Sequence, residues 1–151
     1  MSHDARLRQL NITLPDAPMP AANYVPFVQS GKLLFVSGQI AAGPEGLIRG
    51  RLGADMDAAQ GAAAARACGL ALVAQARAAL GSLDRIARVV KLTGFVNSTP
   101  DFTDQPEVIN GCSDLMVELF GEAGRHARAA VSAAALPRGV AVEIEAIFEI
   151  T

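Results

Sequence analysis

From Val140 to Ile150 apolar and acidic side chains alternate. Val140, Val142, Ile144, Ala146, Phe148 and Ile150 fall on one face, and Glu143, Glu145 and Glu149 on the other. A period of two over this length predicts a half-buried strand. Leu136-Pro137-Arg138-Gly139 supplies a turn before it, with Pro presetting φ and Gly tolerating positive φ. The stretch from His126 is then expected to be the partner strand of a hairpin. His126, Arg128 and Ser132 would lie on its polar face, and Ala127, Ala129 and Val131 on the other. In such a hairpin Ser132 is opposite Glu143. Arg128 shares a face with Glu143 but sits about four residues further from the turn, ~13 Å away at ~3.4 Å per residue. They are not an ion pair within one hairpin. Both either decorate a solvated sheet face or are available to a ligand or a second chain.

The remaining pattern predicts β-β-(β)-α-β-α-β-β. Residues Met1 to Asn23 mix charge with Pro15, Pro18 and Pro20, which predicts a loosely attached arm (1–23), whose Leu7, Leu10, Ile12 and Leu14 could dock on the body, before a single domain (24–151). Phe27-Val28-Gln29, a Ser30-Gly31-Lys32 turn and Leu33 to Ile40 make a first hairpin. Ala42 to Gly53, with glycines at 43, 46, 50 and 53, is a loop with a short edge strand near Leu47-Ile48. Asp55 or Asp57 opens the first helix; Asp57 with Gln60 three residues on resembles a capping box, and the Ala-rich run to Leu80 predicts a helix closed by Gly81. Ala65, Cys68, Leu72, Ala76 and Leu80 recur on its apolar line, and Gly61 and Gly69 are expected to pack closely against a sheet. Ile86 to Asn97 alternates as a strand, with Val89, Lys91, Thr93, Phe95 and Asn97 set against Val90, Leu92, Gly94 and Val96. Thr103 or Asp104 opens a second helix. Its apolar stripe comprises Val108 or Ile109, Cys112, Leu115 or Met116, and Leu119. Two helices on one face of a mixed sheet define an α+β class.

Composition narrows the partners. The chain of 151 residues is long enough for one core, and a net charge of −2 gives no field that gathers nucleic acid or anionic lipid. Cys68 and Cys112 fall among apolar residues in helical patterns, so buried free thiols are expected. The N-terminal residues contain no apolar run. Neither a signal peptide nor a membrane span is expected, and a cytoplasmic location is the default. His3 and His126 are the only histidines, no metal-ligand spacing is present, and no dinucleotide fingerprint occurs. What remains is Arg128, whose planar fork suits a carboxylate.

Ala127-Arg128-Ala129-Ala130-Val131, Leu136-Pro137 and Val142-Glu143-Ile144-Glu145-Ala146 resemble the C-terminal signature of the RidA/YjgF reactive-intermediate deaminase family, also labelled endoribonuclease L-PSP. Pro26-Phe27-Val28-Gln29 with Phe35-Val36-Ser37-Gly38-Gln39-Ile40 resembles its N-terminal signature. The resemblance runs from about Tyr24 to the end. It implies a chorismate-mutase-like fold in which three sheets close a trimeric barrel with a cleft at each subunit interface. A shared cleft would take Arg128 and Glu143 from neighbouring chains.

The resemblance also implies a reaction: hydrolysis of 2-imino acids, or enamine tautomers such as 2-aminoacrylate, to 2-keto acids and ammonia, without a cofactor or metal. Arg128 would hold the substrate carboxylate, and Glu143 would orient or deprotonate water. Phe27, Ser37, Gly38, Asn110 and Ala130 match substrate-binding positions, with backbone N–H groups near Gly38 and Ala130 completing the site. Phe27 stands where many relatives have tyrosine, and Ala130 where many have cysteine. These departures bear on substrate preference more than on reaction class. Three competitors stay open: a small-carboxylate binder without turnover, a ribonuclease or translation inhibitor, and a deaminase of another catabolic intermediate. The acidic balance disfavours the ribonuclease.

Overall fold

The computed structural model describes residues 1–20 and 22–151. The alternating segment forms a strand from Val142 to Ile150, and its buried face is the predicted one. With β1 (Phe27–Ser30), β2 (Leu33–Ile40), β5 (Ile86–Asn97) and β6 (Ala127–Ala133), this strand, β7, builds a five-stranded sheet in the order β1-β2-β7-β5-β6. β3 (Ala42–Gly43) and β4 (Gly46–Leu47) make a separate two-stranded ribbon where a short edge strand was expected.

The predicted C-terminal hairpin does not form. β6 pairs in parallel with β5, and β5 lies between β6 and β7. The reason lies in the faces. β7 buries Val142, Ile144, Ala146, Phe148 and Ile150. β5 buries Val89, Leu92 and Val96. Strands this apolar on one side are stabilised at the centre, under the helices. β6 carries Arg128 and Ser132 on that same side and takes the edge, where polar groups reach water. The register changes the parity as well. Arg128 pairs with Leu92 and Glu143 with Phe95, so they occupy opposite faces of the sheet, and Ser132 lies beside Val96 rather than Glu143. In β5, register shifts at Ile86/Arg88 and Val89/Lys91 return Val89 to the buried face, where unbroken alternation had placed it with Lys91.

Two long helices cover the buried face. The α2 helix (Ala58–Leu80) has the predicted capping box: Gln60 N–H donates to Asp57 at 2.8 Å, and Asp57 N–H to Gln60 at 2.9 Å. Gly81 closes it in the left-handed region at φ 81°. The α3 helix (Gln105–Phe120) starts after Asp104, whose side chain makes no capping bond, and buries the whole predicted stripe. The glycines expected against the sheet instead face α3. A Cβ on Gly61 would meet Val108, and one on Gly69 would meet Cys112 and Leu115. The closest approach is Gly111 of α3, where a Cβ would fall 1.9 Å from the Ala62 carbonyl oxygen. Backbone cannot yield as a side chain does. Gly111→Ala is expected to destabilise by about 2 kcal/mol, overpacking outweighing the ~1 kcal/mol gain in helix propensity. At ~2–4 °C per kcal/mol for this size, calorimetry should register a melting point lower by several degrees.

The arm is not loosely attached. Ser2 caps α1 (His3–Gln9), and Leu7 and Leu14 are buried in the common core. Asp4 bonds Ser82 and, at 3.2 Å, Leu83 N–H, while His3 Nε2 lies 3.1 Å from the Ile86 carbonyl. A prolyl stretch reads as loose because prolines remove donors, yet Leu7, Ile12 and Leu14 supply an apolar face that holds the segment down.

Candidate functional site

The predicted site residues fall into two groups within one chain. The first is on β6 and α3. Arg128 Nη1 donates to Asn110 Oδ1 at 2.7 Å and to Ser113 Oγ at 3.2 Å. Ser113 Oγ is also 2.9 Å from His126 Nε2, and His126 Nδ1 is 2.6 Å from the Gly124 carbonyl. That carbonyl can only accept, so Nδ1 carries a proton. In the neutral ring Nε2 then accepts from Ser113, and Ser113 accepts from Arg128. The chain of bonds engages one guanidinium nitrogen and fixes the plane of the fork. Among the described residues Nε and Nη2 of Arg128 have no hydrogen-bond partner, which leaves an edge suited to bidentate carboxylate binding. A recess of about 290 Å³ lies here, lined by Ser113, Asp114, Val117, Arg125, His126 and Arg128. Ala130 sits two residues along β6, half-buried beside Gly94.

The second group surrounds Glu143 on the opposite sheet face. Between Val36 and Gln39 the β2–β7 register shifts, placing Gly38 against the Glu143 side chain. A Cβ on Gly38 would lie 2.5 Å from Glu143 Oε2. Glycine here gives the carboxylate room to lie across the strand. The Glu143 side chain is half-buried, and among the described residues none donates a hydrogen bond to its carboxylate. Burial, and secondarily the charge of Glu145, raises its pKa above the ordinary 4.5. The pocket beside it measures about 460 Å³ and includes Tyr24, Gly38, Ile40 and Arg138. Gly38→Ala is expected to push the carboxylate aside. A displacement of about 1 Å in a reacting group costs on the order of 10²-fold in rate, so kcat/KM should fall that far while the melting point holds.

Ser37 and Phe27 lie at the margin. Ser37 Oγ donates to the Val25 carbonyl at 2.8 Å, tying down the chain before β1. Phe27 is half-buried and packs on the core. Cys112 is pushed up to about 12 by burial, and Cys68 is raised by burial and by its neighbours Cys112 and Glu143. Both thiols therefore stay protonated and unreactive near neutrality. Among the described residues no cluster of three His, Cys, Asp or Glu side chains could hold a metal ion, and no helix is long and apolar enough to cross a membrane.

Two residues beside these groups, Gln75 and Ser113, had escaped notice in the sequence. Gln75 is one percent exposed within the apolar line of α2. Its Nε2 donates to the Pro18 carbonyl at 2.6 Å and lies 3.4 Å from Gln39 Oε1. A glutamine inside an alanine-leucine stripe was the available signal. Ser113, on α3, gave none, and His126 was read only as a member of the polar face that carries Arg128.

This α+β architecture carries an arginine fork on an edge strand and a carboxylate beside a pocket on the sheet's other face. The family model described as "YjgF/chorismate mutase-like, putative endoribonuclease" matches residues 4–147. The chain belongs to this YjgF family, whose members also carry the names RidA and RutC. Protein TCP17 of Trypanosoma cruzi is 54% identical over 97% of this chain and 92% of its own. The crystal structure of Atu1372 from Agrobacterium tumefaciens, described as of unknown function, is 49% identical with a TM-score of 0.90, covering 99% of this chain and 92% of that one. A Shewanella oneidensis structure bearing the endoribonuclease label is 32% identical with a TM-score of 0.95, covering 99% and 100% of the two chains.

Proposed function

We propose that this protein hydrolyses reactive 2-imino acids to 2-keto acids and ammonia, in a site completed between two copies of the chain. The observation that carries the reading is the half-satisfied fork of Arg128: one nitrogen is fixed by Asn110 and Ser113, and an edge is turned to a ligand. A carboxylate is the chemistry that fits that edge. The Escherichia coli relative TdcF, 28% identical with a TM-score of 0.58, has been crystallised with bound serine.

Glu143 supplies the second function. An enamine such as 2-aminoacrylate first tautomerises to the imine. Water then adds its oxygen to the imine carbon as Glu143 takes a proton, and that proton passes to nitrogen. Glu143 then relays the carbinolamine's hydroxyl proton to the amino nitrogen, the C–N bond breaks as the carbonyl forms, and ammonia leaves. The electrophile is the substrate's own carbon, so the reading requires no cofactor.

Arg128 and Glu143 of one chain cannot meet on one small substrate. They lie on strands flanking β5, roughly 10 Å apart across the sheet at ~4.8 Å per strand, and on opposite faces. Hence the proposal of a homotrimer. It is supported by Val28, Phe35 and Val131, which leave an apolar surface on the face the helices do not cover. Light scattering at micromolar concentration tests the assembly, and a stable monomer would exclude the shared site. The reaction is tested by generating 2-aminoacrylate in situ and following keto-acid release with and without the protein. An unchanged rate would refute the hydrolase reading. RNA cleavage lost in Arg128→Ala would favour the endoribonuclease label carried by relatives.

A further inference from the structure

His126 and Ser113 take no part in the proposed chemistry, yet both meet at Arg128. Their placement follows from two periods. On α3, Ser113 comes three residues after Asn110, so the two lie on one helix face a turn apart. In the segment that enters β6, His126 precedes Arg128 by two residues and shares its side, so both reach Ser113.

The bonds have a direction. Nη1 of Arg128 carries two hydrogens and meets two acceptors, Asn110 Oδ1 at 2.7 Å and Ser113 Oγ at 3.2 Å. A serine hydroxyl holds a single proton and is free to rotate. With Nδ1 donating to the Gly124 carbonyl at 2.6 Å, His126 Nε2 takes that proton at 2.9 Å. The hydroxyl is thereby locked with a lone pair toward Arg128, and a hydroxyl that is already donating is the stronger acceptor. Without His126 the hydroxyl is free to turn to the carbonyl one helical turn back, as helical serines do. The guanidinium then loses an aligned anchor. An arginine free to rotate must be ordered when a ligand binds, at the entropic cost of a rotamer-rich side chain. Every one of these bonds lies within one chain, so the relay needs no residue from the copy that completes the cleft.

We propose that His126 and Ser113 are positioning residues for ligand carboxylates: the relay Gly124–His126–Ser113–Arg128 holds the fork in the orientation that receives a carboxylate. This rests on Arg128 as the carboxylate anchor of the proposed function, but not on turnover.

The test uses the full-length protein with His126→Phe, His126→Gln and Ser113→Ala, each alone and combined with Arg128→Ala. Pyruvate binding is measured by calorimetry. Turnover of the imine generated in situ by oxidation of alanine gives kcat and KM. Loss of one hydrogen bond to a charged group predicts that His126→Phe and Ser113→Ala each weaken pyruvate binding by about tenfold and raise KM as far, with kcat held. In His126→Gln the amide oxygen can take the place of Nε2 and should recover most of the loss. On the Arg128→Ala background neither change should cost anything further, because both residues act only through the fork. Bonds that merely tie β6 to α3 would instead lower the melting point and leave binding and KM unchanged. That outcome, an equal loss on the Arg128→Ala background, or a His126→Gln as weak as His126→Phe overturns the relay. If His126→Phe does not fold, Ser113→Ala, which favours the helix, decides alone. If the variants weaken pyruvate binding but wild type turns over no imine, the relay stands and the hydrolase reading fails. Turnover with pyruvate binding unchanged in the variants removes the relay and leaves the hydrolase. A wild type that binds no pyruvate and turns over no imine overturns both.

Discussion

Glu143→Gln is expected to lower imine turnover by about 10²–10⁴-fold, the range supplied by a positioned general base, without loss of fold. The amide keeps the shape of the carboxylate against Gly38 but accepts no proton from water. The raised pKa adds two pH-dependent consequences. Catalysis requires the ionised form, so wild-type kcat/KM should fall on acidification at a pH above the ordinary glutamate range. Stability runs the other way. A carboxyl whose folded pKa exceeds its unfolded value binds more protons when folded, so its contribution fades as pH rises through the interval above 4.5. At neutral pH the ionised, half-buried Glu143 is a liability, and Glu143→Gln should melt higher than wild type. At pH 4, where the wild-type group is protonated, the advantage should shrink. Calorimetry across that interval, with turnover measured on the same samples, checks both statements. An active Glu143→Gln would remove this residue from the mechanism.

Substitution of Arg128 should divide activity from stability in a graded way. Arg128→Lys retains the charge and much of the stem but has no planar fork. Losing one charge-assisted hydrogen bond costs roughly 1.5–3 kcal/mol, about tenfold to hundredfold if expressed in the transition state. Arg128→Ala removes both bonds to the carboxylate and should lose on the order of 10²–10⁴-fold, twice that free energy. Stability should change little in either variant. The partners of Nη1 are Asn110, which is exposed, and Ser113, which retains His126. Water replaces the lost donor at Asn110. A purely structural arginine would give the reverse: a lower melting point and unchanged turnover per folded protein. Full activity in Arg128→Ala would end the proposal.

Elements with a strong period were legible in the sequence. The β7 alternation, the Asp57–Gln60 capping box, the closing Gly81 and the α3 stripe all formed where they were read. The partner of β7 was not legible, because alternation reports a strand's faces and not its neighbour. The short distance from Ala133 to Val142 suggested a hairpin, yet β5, distant in sequence, inserts between them. That insertion also reversed the face of Arg128. In β5 the register shifts broke the alternation that had grouped Val89 with Lys91. Of the site, Arg128 with Asn110 and Glu143 with Gly38 are paired by the fold, whereas Ser37 bonds local backbone and Phe27 packs on the core. Tyr24 and Met19 carry no sequence signature of a shared pocket, because only the path of the chain before β1 brings them together.

That path has a kinetic consequence. The contacts of α1 join residues about 80 positions apart, as in Asp4 with Leu83 and His3 with Ile86. Closing so long a loop is entropically expensive until the partner surface exists. The surface is made by the turn after α2, the start of β5 and the end of α3, so the first helix is expected to dock late in folding and to open early in native fluctuations. Amide hydrogens of α1 should therefore exchange faster than those of β7, and by local opening rather than global unfolding. The first helix can thus detach and return while the sheet beneath it stays folded.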